Sequence, residues 1–115
     1  MANICTNWVE IQGDEKQVKQ FVELVGEQFD FNKVIPTDGD SRGEAIDKWN
    51  CSSIAFDTQF DGEDGGWANW SFWTKWNPPT LIYEKLCELF PDVYIVWRYE
   101  EPGCGLYGYL NTENF

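Results

Sequence analysis

Catalysis in this sequence would have to depend on carboxylates, because its 115 residues include no histidine. Without histidine, the pairings that activate a serine or cysteine nucleophile cannot form. Glu100 and Glu101 are adjacent, so they point to opposite faces if they lie in a strand and are solvated if they lie in a turn. General acid–base catalysis needs two groups that converge on one substrate. The sequence therefore predicts no catalytic residue and a protein that is not an enzyme.

Four cysteines could form two disulfides or bind a metal, but their spacing favours neither. They are far apart, with no CxxC pair: Cys5, Cys51, Cys87 and Cys104. The opening "MANICTNWVEIQG" has no basic region followed by an apolar one, so a secretory signal is not expected. We expect a cytoplasmic protein whose thiols are reduced and act as small buried apolar groups.

Two acidic segments deserve comparison with metal-binding loops. "DGDSRGE" (residues 38–44) opens like a calcium loop, yet Arg42 and Trp49 occupy positions where oxygen ligands belong. "DGEDGG" (residues 61–66) carries three carboxylates and is typical of a hairpin turn. We predict neither a metal site nor a cofactor. A carboxylate enzyme with a bound divalent cation is the alternative, and it predicts a thermal shift with such ions.

Charge is the strongest compositional feature. There are 20 acidic and 8 basic residues, which give a formal net charge of −12 and a pI near 4.1. Such a protein repels phosphate backbones and anionic membranes and attracts basic surfaces. Eight of the carboxylates fall within residues 38–64: Asp38, Asp40, Glu44, Asp47, Asp57, Asp61, Glu63 and Asp64. They form either a solvated face or an imitation of the phosphates of a duplex.

The first half of the chain predicts a strand and then a helix. Residues 4–11 are rich in residue types that favour strands, and this pattern stops at Gly13. Asp14 with Gln17 has capping-box spacing, and apolar residues follow at helical intervals up to Gly26. Residues 29–50 contain proline and glycine among alternating charges, which indicates a long irregular connection.

The second half predicts a hairpin, a helix and a second hairpin. Residues 53–60 alternate, with Ile54, Phe56, Thr58 and Phe60 on one face, and residues 67–76 continue the pattern after a turn. Asn77 and Pro78 are a typical helix start, with Ile82, Leu86, Leu89 and Phe90 on the apolar face. Residues 92–101 and 106–110 are strands joined by "EPGCG", where proline and glycine suit a turn.

This order predicts a single domain over residues 1–115 with a ferredoxin-like split βαβ sandwich. Two helices cover one face of an antiparallel sheet, which has an extra C-terminal strand. By strand alternation, Trp67, Trp73 and Tyr94 point away from the helices. Either residues 29–50 cover these aromatic side chains or they form a partner surface.

Four segments resemble a known family: "MANICTNWVEIQGD", "FDFNKVIP", "FWTKWNPP" and "FPDVYIVWRYEEPGCGLYGYL". Together they are similar to the YubB-type ferredoxin-like domain proteins of bacteriophages and plasmids, whose biochemical activity is unassigned. The resemblance implies a ferredoxin-like fold and an origin on a mobile genetic element. It implies no catalytic residue.

The leading functional hypothesis is an anti-defence inhibitor of the anti-CRISPR kind, which would act as a nucleic-acid mimic. It would bind a basic nucleic-acid-binding host complex, such as a CRISPR effector complex, without binding nucleic acid itself. The alternative is a small regulatory or assembly module whose exposed sheet face binds a protein or a second copy. The residues predicted to contact the partner are Asp57, Asp61, Glu63, Asp64, Trp67, Trp73, Glu100 and Glu101.

Overall fold

The computed structural model describes residues 3–37, 42–103 and 105–110, with the backbone alone for residues 42–44. The described residues form five strands, three α-helices and one 3₁₀ turn. In chain order these are β1 (Ile4–Gln12), α1 (Glu15–Val25), the 3₁₀ turn (Phe31–Lys33), α2 (Arg42–Trp49), β2 (Phe56–Glu63), β3 (Trp67–Lys75), α3 (Thr80–Leu89), β4 (Tyr94–Glu101) and β5 (Leu106–Tyr109).

The strands form one antiparallel sheet in the order β2-β3-β1-β4-β5. The first strand lies at the centre, between β3 and β4, and β5 extends the sheet beyond β4. Strands that are joined through a helix, β1 with β2 and β3 with β4, are separated in the sheet, whereas each hairpin keeps its two strands adjacent, as the split βαβ pattern requires. The antiparallel α+β architecture and the additional final strand are confirmed.

Alternation along the strands separates a covered face from an open face. On β1 the side chains of Cys5, Asn7, Val9 and Ile11 are buried, and their neighbours in sequence are not. Rings of both α1 and α3 contact the covered face. Phe21 lies 5.7 Å from Trp70, and Tyr83 lies 5.8 Å from Trp97, between ring centroids.

Helix α1 forms as the sequence predicts. The Asp14 carboxylate accepts a hydrogen bond of 3.2 Å from the backbone N–H of Gln17, which caps the first turn. Val18, Phe21 and Val25 are buried, and Gly26 ends the helix with a φ of 70°.

The prediction of an irregular connection over residues 29–50 was wrong in its described part. The 3₁₀ turn and α2 occupy it, and the Phe31 and Trp49 rings meet edge to face at 5.4 Å. Phe31 also contacts Phe72, so the described part of this segment packs on the covered face. Residues 38–41, which include most of the calcium-like motif, lie outside the described residues.

The predicted alternation over residues 53–60 was wrong because β2 contains a bulge. Asp57 has a φ of 50°, and the register with β3 shifts between Phe56 and Gln59. As a result, Phe56 meets Trp73 on the open face, whereas Phe60 stacks on Trp70 on the covered face. Ile54 precedes the strand and is 55% exposed.

The predicted start of the second long helix was also wrong. Helix α3 begins at Thr80 with Pro79 as its N-cap, rather than with Asn77 and Pro78. A residue that precedes proline avoids the helical region, so Pro78 is kept out of the helix by Pro79. Ile82 and Leu86 are buried as expected, but Leu89 is exposed.

Both hairpins form, and the first is tighter than predicted. Strand β2 continues to Glu63, and only Gly65 and Gly66 make the turn, with φ of 56° and 93°. These angles match the two-residue turn whose twist suits a hairpin. In the second hairpin the Gly105 N–H donates to the Pro102 carbonyl at 3.2 Å.

Candidate functional site

The open face of the sheet is the candidate functional site. Cross-strand pairing places eighteen side chains on it: Ile4, Thr6, Trp8, Glu10, Gln12, Phe56, Gln59, Trp67, Asn69, Ser71, Trp73, Lys75, Tyr94, Val96, Arg98, Glu100, Tyr107 and Tyr109. With strands about 4.8 Å apart and about 3.3 Å per residue, the face measures roughly 20 by 20 Å. This is about 400 Å² per partner, half the area of a standard protein–protein interface, and it suits a weak or transient contact.

Four aromatic side chains of the open face are exposed to solvent. Trp73 is 41% exposed, Tyr94 69%, Tyr107 74% and Tyr109 65%. The predicted outward direction of Trp67, Trp73 and Tyr94 is confirmed by the pairing of their strands. Such grouped aromatic exposure is typical of an interaction surface.

A cation–aromatic pair lies near the centre of this face. The Arg98 guanidinium carbon is 3.7 Å from the centroid of the Trp8 ring. Arg98 also approaches Glu100, with 4.0 Å between Nη1 and Oε2, and Tyr109 faces Arg98 across the β4–β5 pair. Because both members of this ion pair are about half exposed, the pair adds little to stability.

Glu10 accepts hydrogen bonds from two other side chains of the open face. Its Oε1 accepts hydrogen bonds of 3.0 Å from both Trp67 Nε1 and Gln12 Nε2. Trp67 is therefore held in place and half-buried. Asn69 pairs with Glu10 across the strands, and its Oδ1 is a buried atom without a hydrogen bond in the described part of the chain.

These groups surround a shallow depression that we call the central hollow. It has a volume of about 460 Å³ and is lined chiefly by Trp8, Glu10, Asp61, Asn69, Arg98 and Tyr109. The hollow combines oxygen acceptors with aromatic walls. The sequence did not reveal it, because the β2 bulge determines where Asp61 lies.

The predicted acidic residues follow one edge of the sheet. Asp57, Asp61, Glu63 and Asp64 are exposed on β2 and its turn, and β2 is an edge strand. Along a strand this is roughly one charge per 6 to 8 Å, whereas a duplex carries about one per 1.7 Å of axis. Asp38 and Asp40 lie outside the described residues.

One predicted contact residue is corrected. Glu101 is fully buried on the covered face, whereas Glu100 lies on the open face. The two adjacent carboxylates do point in opposite directions. Glu101 is therefore removed from the candidate surface.

The covered face contains a buried polar network that the sequence did not reveal. Asn7 donates through Nδ2 to Thr74 Oγ1 at 3.1 Å and accepts at Oδ1 from Trp97 Nε1 at 3.0 Å. Thr74 in turn donates to the Asn77 carbonyl at 2.8 Å. The side chains of Asn7, Thr74 and Trp97 all have hydrogen-bond partners within the protein, so we interpret this network as structural.

The described thiols are poorly suited to chemistry. Burial raises the pKa of Cys5 to about 11 and that of Cys51 to about 12, and it also raises the pKa of Cys87. Cys104 lies outside the described residues.

Within the described ranges, no three His, Cys, Asp or Glu residues are grouped to hold a metal ion. No helix there has the length and apolar character to cross a membrane.

The element order, the sheet topology and the open face define an α+β domain of the ferredoxin-like class. Residues 55–114 match the family described as the ferredoxin-like domain in Api92-like protein. The chain belongs to this family. The expected ferredoxin-like fold is thus confirmed, while the YubB-type name and a phage or plasmid origin stay predictions.

A solved structure agrees with this assignment. The chain is similar to the protein Api92 from Yersinia pseudotuberculosis, with a TM-score of 0.59 and 20% sequence identity. The match covers 70% of this chain and 34% of that protein, so this chain spans about a third of its length. At this identity the likeness concerns the fold alone. No curated protein matches the sequence.

Proposed function

We propose that this domain binds a protein partner that carries basic side chains, through the open face of its sheet. The observation that supports this most is the row of exposed aromatic side chains beside Arg98 on that face. Tryptophan, tyrosine and arginine are the residue types that dominate binding energy at protein interfaces. The Trp8–Arg98 pair and the Trp67–Glu10 hydrogen bond hold two of the indoles in place.

The basic character of the partner follows from charge. The chain has a formal net charge of −12, and the carboxylates of β2 border the open face. Opposite charge on the partner would speed association and make it sensitive to salt. The same charge disfavours a second copy of this chain as the occupant.

Single-stranded nucleic acid is a weaker candidate. Aromatic side chains on an open sheet can stack on bases, but such surfaces also need a groove of lysine and arginine that tracks the backbone. The basic residues described on the open face are Arg98 and Lys75, and they are outnumbered by the acidic residues Glu10, Glu100 and Asp61.

We propose no catalytic role for the domain. The sequence lacks histidine, and the raised pKa values of Cys5 and Cys51 keep these thiols protonated at neutral pH. A protonated, buried thiol is a poor nucleophile.

An anti-defence inhibitor of the anti-CRISPR kind is a narrower form of this proposal. It adds that the partner is a host complex whose nucleic-acid channel is basic, and that the carboxylates of β2 occupy the channel. The wide spacing of these carboxylates favours contact through the aromatic face over mimicry of a duplex.

The test is affinity capture from bacterial lysate with matched baits. The baits are the wild-type chain, Trp73→Ala, Tyr107→Ala and a control, Leu89→Ala, which removes an exposed apolar side chain from α3. We expect the wild type and the control to capture the same protein, which dissociates as salt rises. Loss of an interface anchor costs about 2 kcal/mol or more, so the open-face baits should capture roughly 30-fold less.

Equal capture by all four baits would contradict the proposal. Captured protein that is released by nuclease would point to nucleic acid as the ligand. The remaining possible occupant is a second copy of the chain, which light scattering across a concentration series tests. A dimer that forms in the wild type and is lost in Trp73→Ala would show that the open face binds a second copy.

A further inference from the structure

We infer that the central hollow is a subsite for an arginine side chain of the partner. This inference rests on the proposed function, because it identifies the chemistry that the open face would recognise. Three features of the hollow support it: unused hydrogen-bond acceptors, an excess of negative charge and aromatic walls.

The floor of the hollow offers acceptors that need a donor. The Asn69 Oδ1 atom is buried and has no hydrogen bond in the described part of the chain. Buried polar atoms nearly always have a partner, and the Asn69 side chain lines the hollow, so an N–H group that displaces the side chains covering Oδ1 would supply the missing hydrogen bond. Across the strands, Glu10 receives both of its described hydrogen bonds on Oε1, which leaves Oε2 to a ligand.

Arg98 balances only part of the charge of the hollow, which has the carboxylates of both Glu10 and Asp61. Arg98 approaches Glu100, which lies one row away from Trp8 on the side opposite Glu10. Asp61 is exposed at the rim of the hollow and takes part in no ion pair among the described residues. The carboxylates of Glu10 and Asp61 therefore face a space that favours a cation with several N–H donors.

The aromatic walls favour a guanidinium over an ammonium group. Trp8 already carries one guanidinium at 3.7 Å, and Tyr109 supplies a second aromatic ring to the lining of the hollow. A guanidinium is planar, stacks on rings and presents five donors, whereas an ammonium is a compact point charge. A calcium ion fits less well, because it takes six to eight oxygen ligands and the hollow supplies two carboxylates, of which Glu10 already accepts two hydrogen bonds.

The test is a titration followed by nuclear magnetic resonance. The isotope-labelled chain is mixed with the blocked peptide acetyl-Gly-Arg-Gly-amide, and separately with its lysine and citrulline counterparts. Citrulline keeps the shape of arginine and removes its charge. We expect the arginine peptide to shift the side-chain amide signal of Asn69 and the indole N–H signal of Trp67, which is bonded to Glu10.

Two variants and a control complete the test. Glu10→Gln and Asn69→Leu should each weaken binding of the arginine peptide about tenfold, as expected for a hydrogen bond that involves a charged group. The control, Glu88→Gln, neutralises an exposed carboxylate on α3 and should bind as the wild type does. The Glu10 variant keeps the size of the side chain, so the test does not depend on the more disruptive Asn69 variant.

Equal shifts with arginine and citrulline, or unchanged binding by Glu10→Gln, would overturn the inference. So would equal shifts with calcium chloride alone, which would mark a general cation site. The titration needs no partner protein, so it can fail while lysate capture through Trp73 and Tyr107 still supports the proposed function.

Discussion

At the scale of single residues, the molecule separates its reactive groups from its contact surface. The buried face contains Cys5, Cys51 and Glu101, where water and a partner cannot reach them. The open face presents indole, phenol, guanidinium and carboxylate groups. This distribution of residue types supports the proposed role in recognition.

The two buried thiols give a prediction about alkaline pH. Their pKa values in the folded chain are about 11 for Cys5 and about 12 for Cys51, above the ordinary 9.0. The unfolded chain therefore loses these protons first. The stabilisation is complete below pH 9 and is lost as pH rises toward 11 to 12, by up to about 1.4 kcal/mol per pH unit for each thiol.

Urea unfolding from pH 8 to 11 measures this loss in the wild type and in a Cys5→Ala, Cys51→Ala double variant. The free energy of unfolding should fall more steeply with pH in the wild type. Because lysine and tyrosine titrate equally in both proteins, parallel curves would show that the thiols do not cause the slope.

At the scale of elements, the turn between β2 and β3 depends on two glycines for different reasons. Both have positive φ, but only Gly66 is closely packed. A Cβ atom on Gly66 would lie 2.5 Å from the Gly13 carbonyl oxygen, and nothing lies within 4 Å of one on Gly65. The Gly13 N–H also donates to the Gly66 carbonyl at 3.0 Å, so this contact fixes the hairpin against the end of β1.

We predict that Gly65→Ala costs about 1 to 2 kcal/mol of stability, the cost of positive φ alone. Gly66→Ala should cost a further 1 to 3 kcal/mol or so, because the backbone must move to relieve the contact. Denaturant midpoints of the two variants measure the difference. Equal losses of stability in the two variants would show that the backbone relieves the contact with Gly13 without a cost in free energy.

Elements were predictable where one apolar pattern determined the structure. The periodic residues of α1 with the Asp14 cap, and the strands beside the "EPGCG" turn, were predicted because each signal is local. The bulge at Asp57 was not predictable, because a regular alternation through Phe56 and Phe60 fits the sequence equally well. Its consequence is large, since it moves Phe56 to the open face.

Helix α2 and the central hollow were missed for a related reason. In α2 the buried side chains described are Ala45 and Trp49, one turn apart, which is too short a pattern to outweigh the surrounding charges. The hollow is formed by residues from all five described strands. Strand order, rather than sequence spacing, brings Asp61, Asn69 and Arg98 together.

At the scale of the whole molecule, the negative charge has a use that requires no partner. An edge strand exposes unpaired backbone groups and invites pairing with another chain. In the sheet order β2 is such an edge, and four exposed carboxylates lie on it or on its turn: Asp57, Asp61, Glu63 and Asp64. These charges keep the edge solvated.

We predict that neutralising these four residues as Asn or Gln makes the chain self-associate. Asparagine tolerates the positive φ at position 57, so the fold should be retained. The control neutralises four exposed carboxylates away from β2: Glu23, Glu27, Asp47 and Glu88. Light scattering should show growth in mass for the edge variant alone. Similar growth in both would mean that net charge, and not its position on the edge, maintains the monomer.

The central position of β1 also determines how this chain must fold. Ile4 pairs with Lys75 and Thr6 pairs with Glu100, so the middle of the sheet joins distant parts of the sequence. On a ribosome, β1 leaves the exit tunnel long before either neighbour has been synthesised. Both sheet neighbours of β1, which are β3 and β4, follow much later in the chain. Such non-local pairing slows folding relative to a fold of local contacts, and the sheet closes only when β4 has been made.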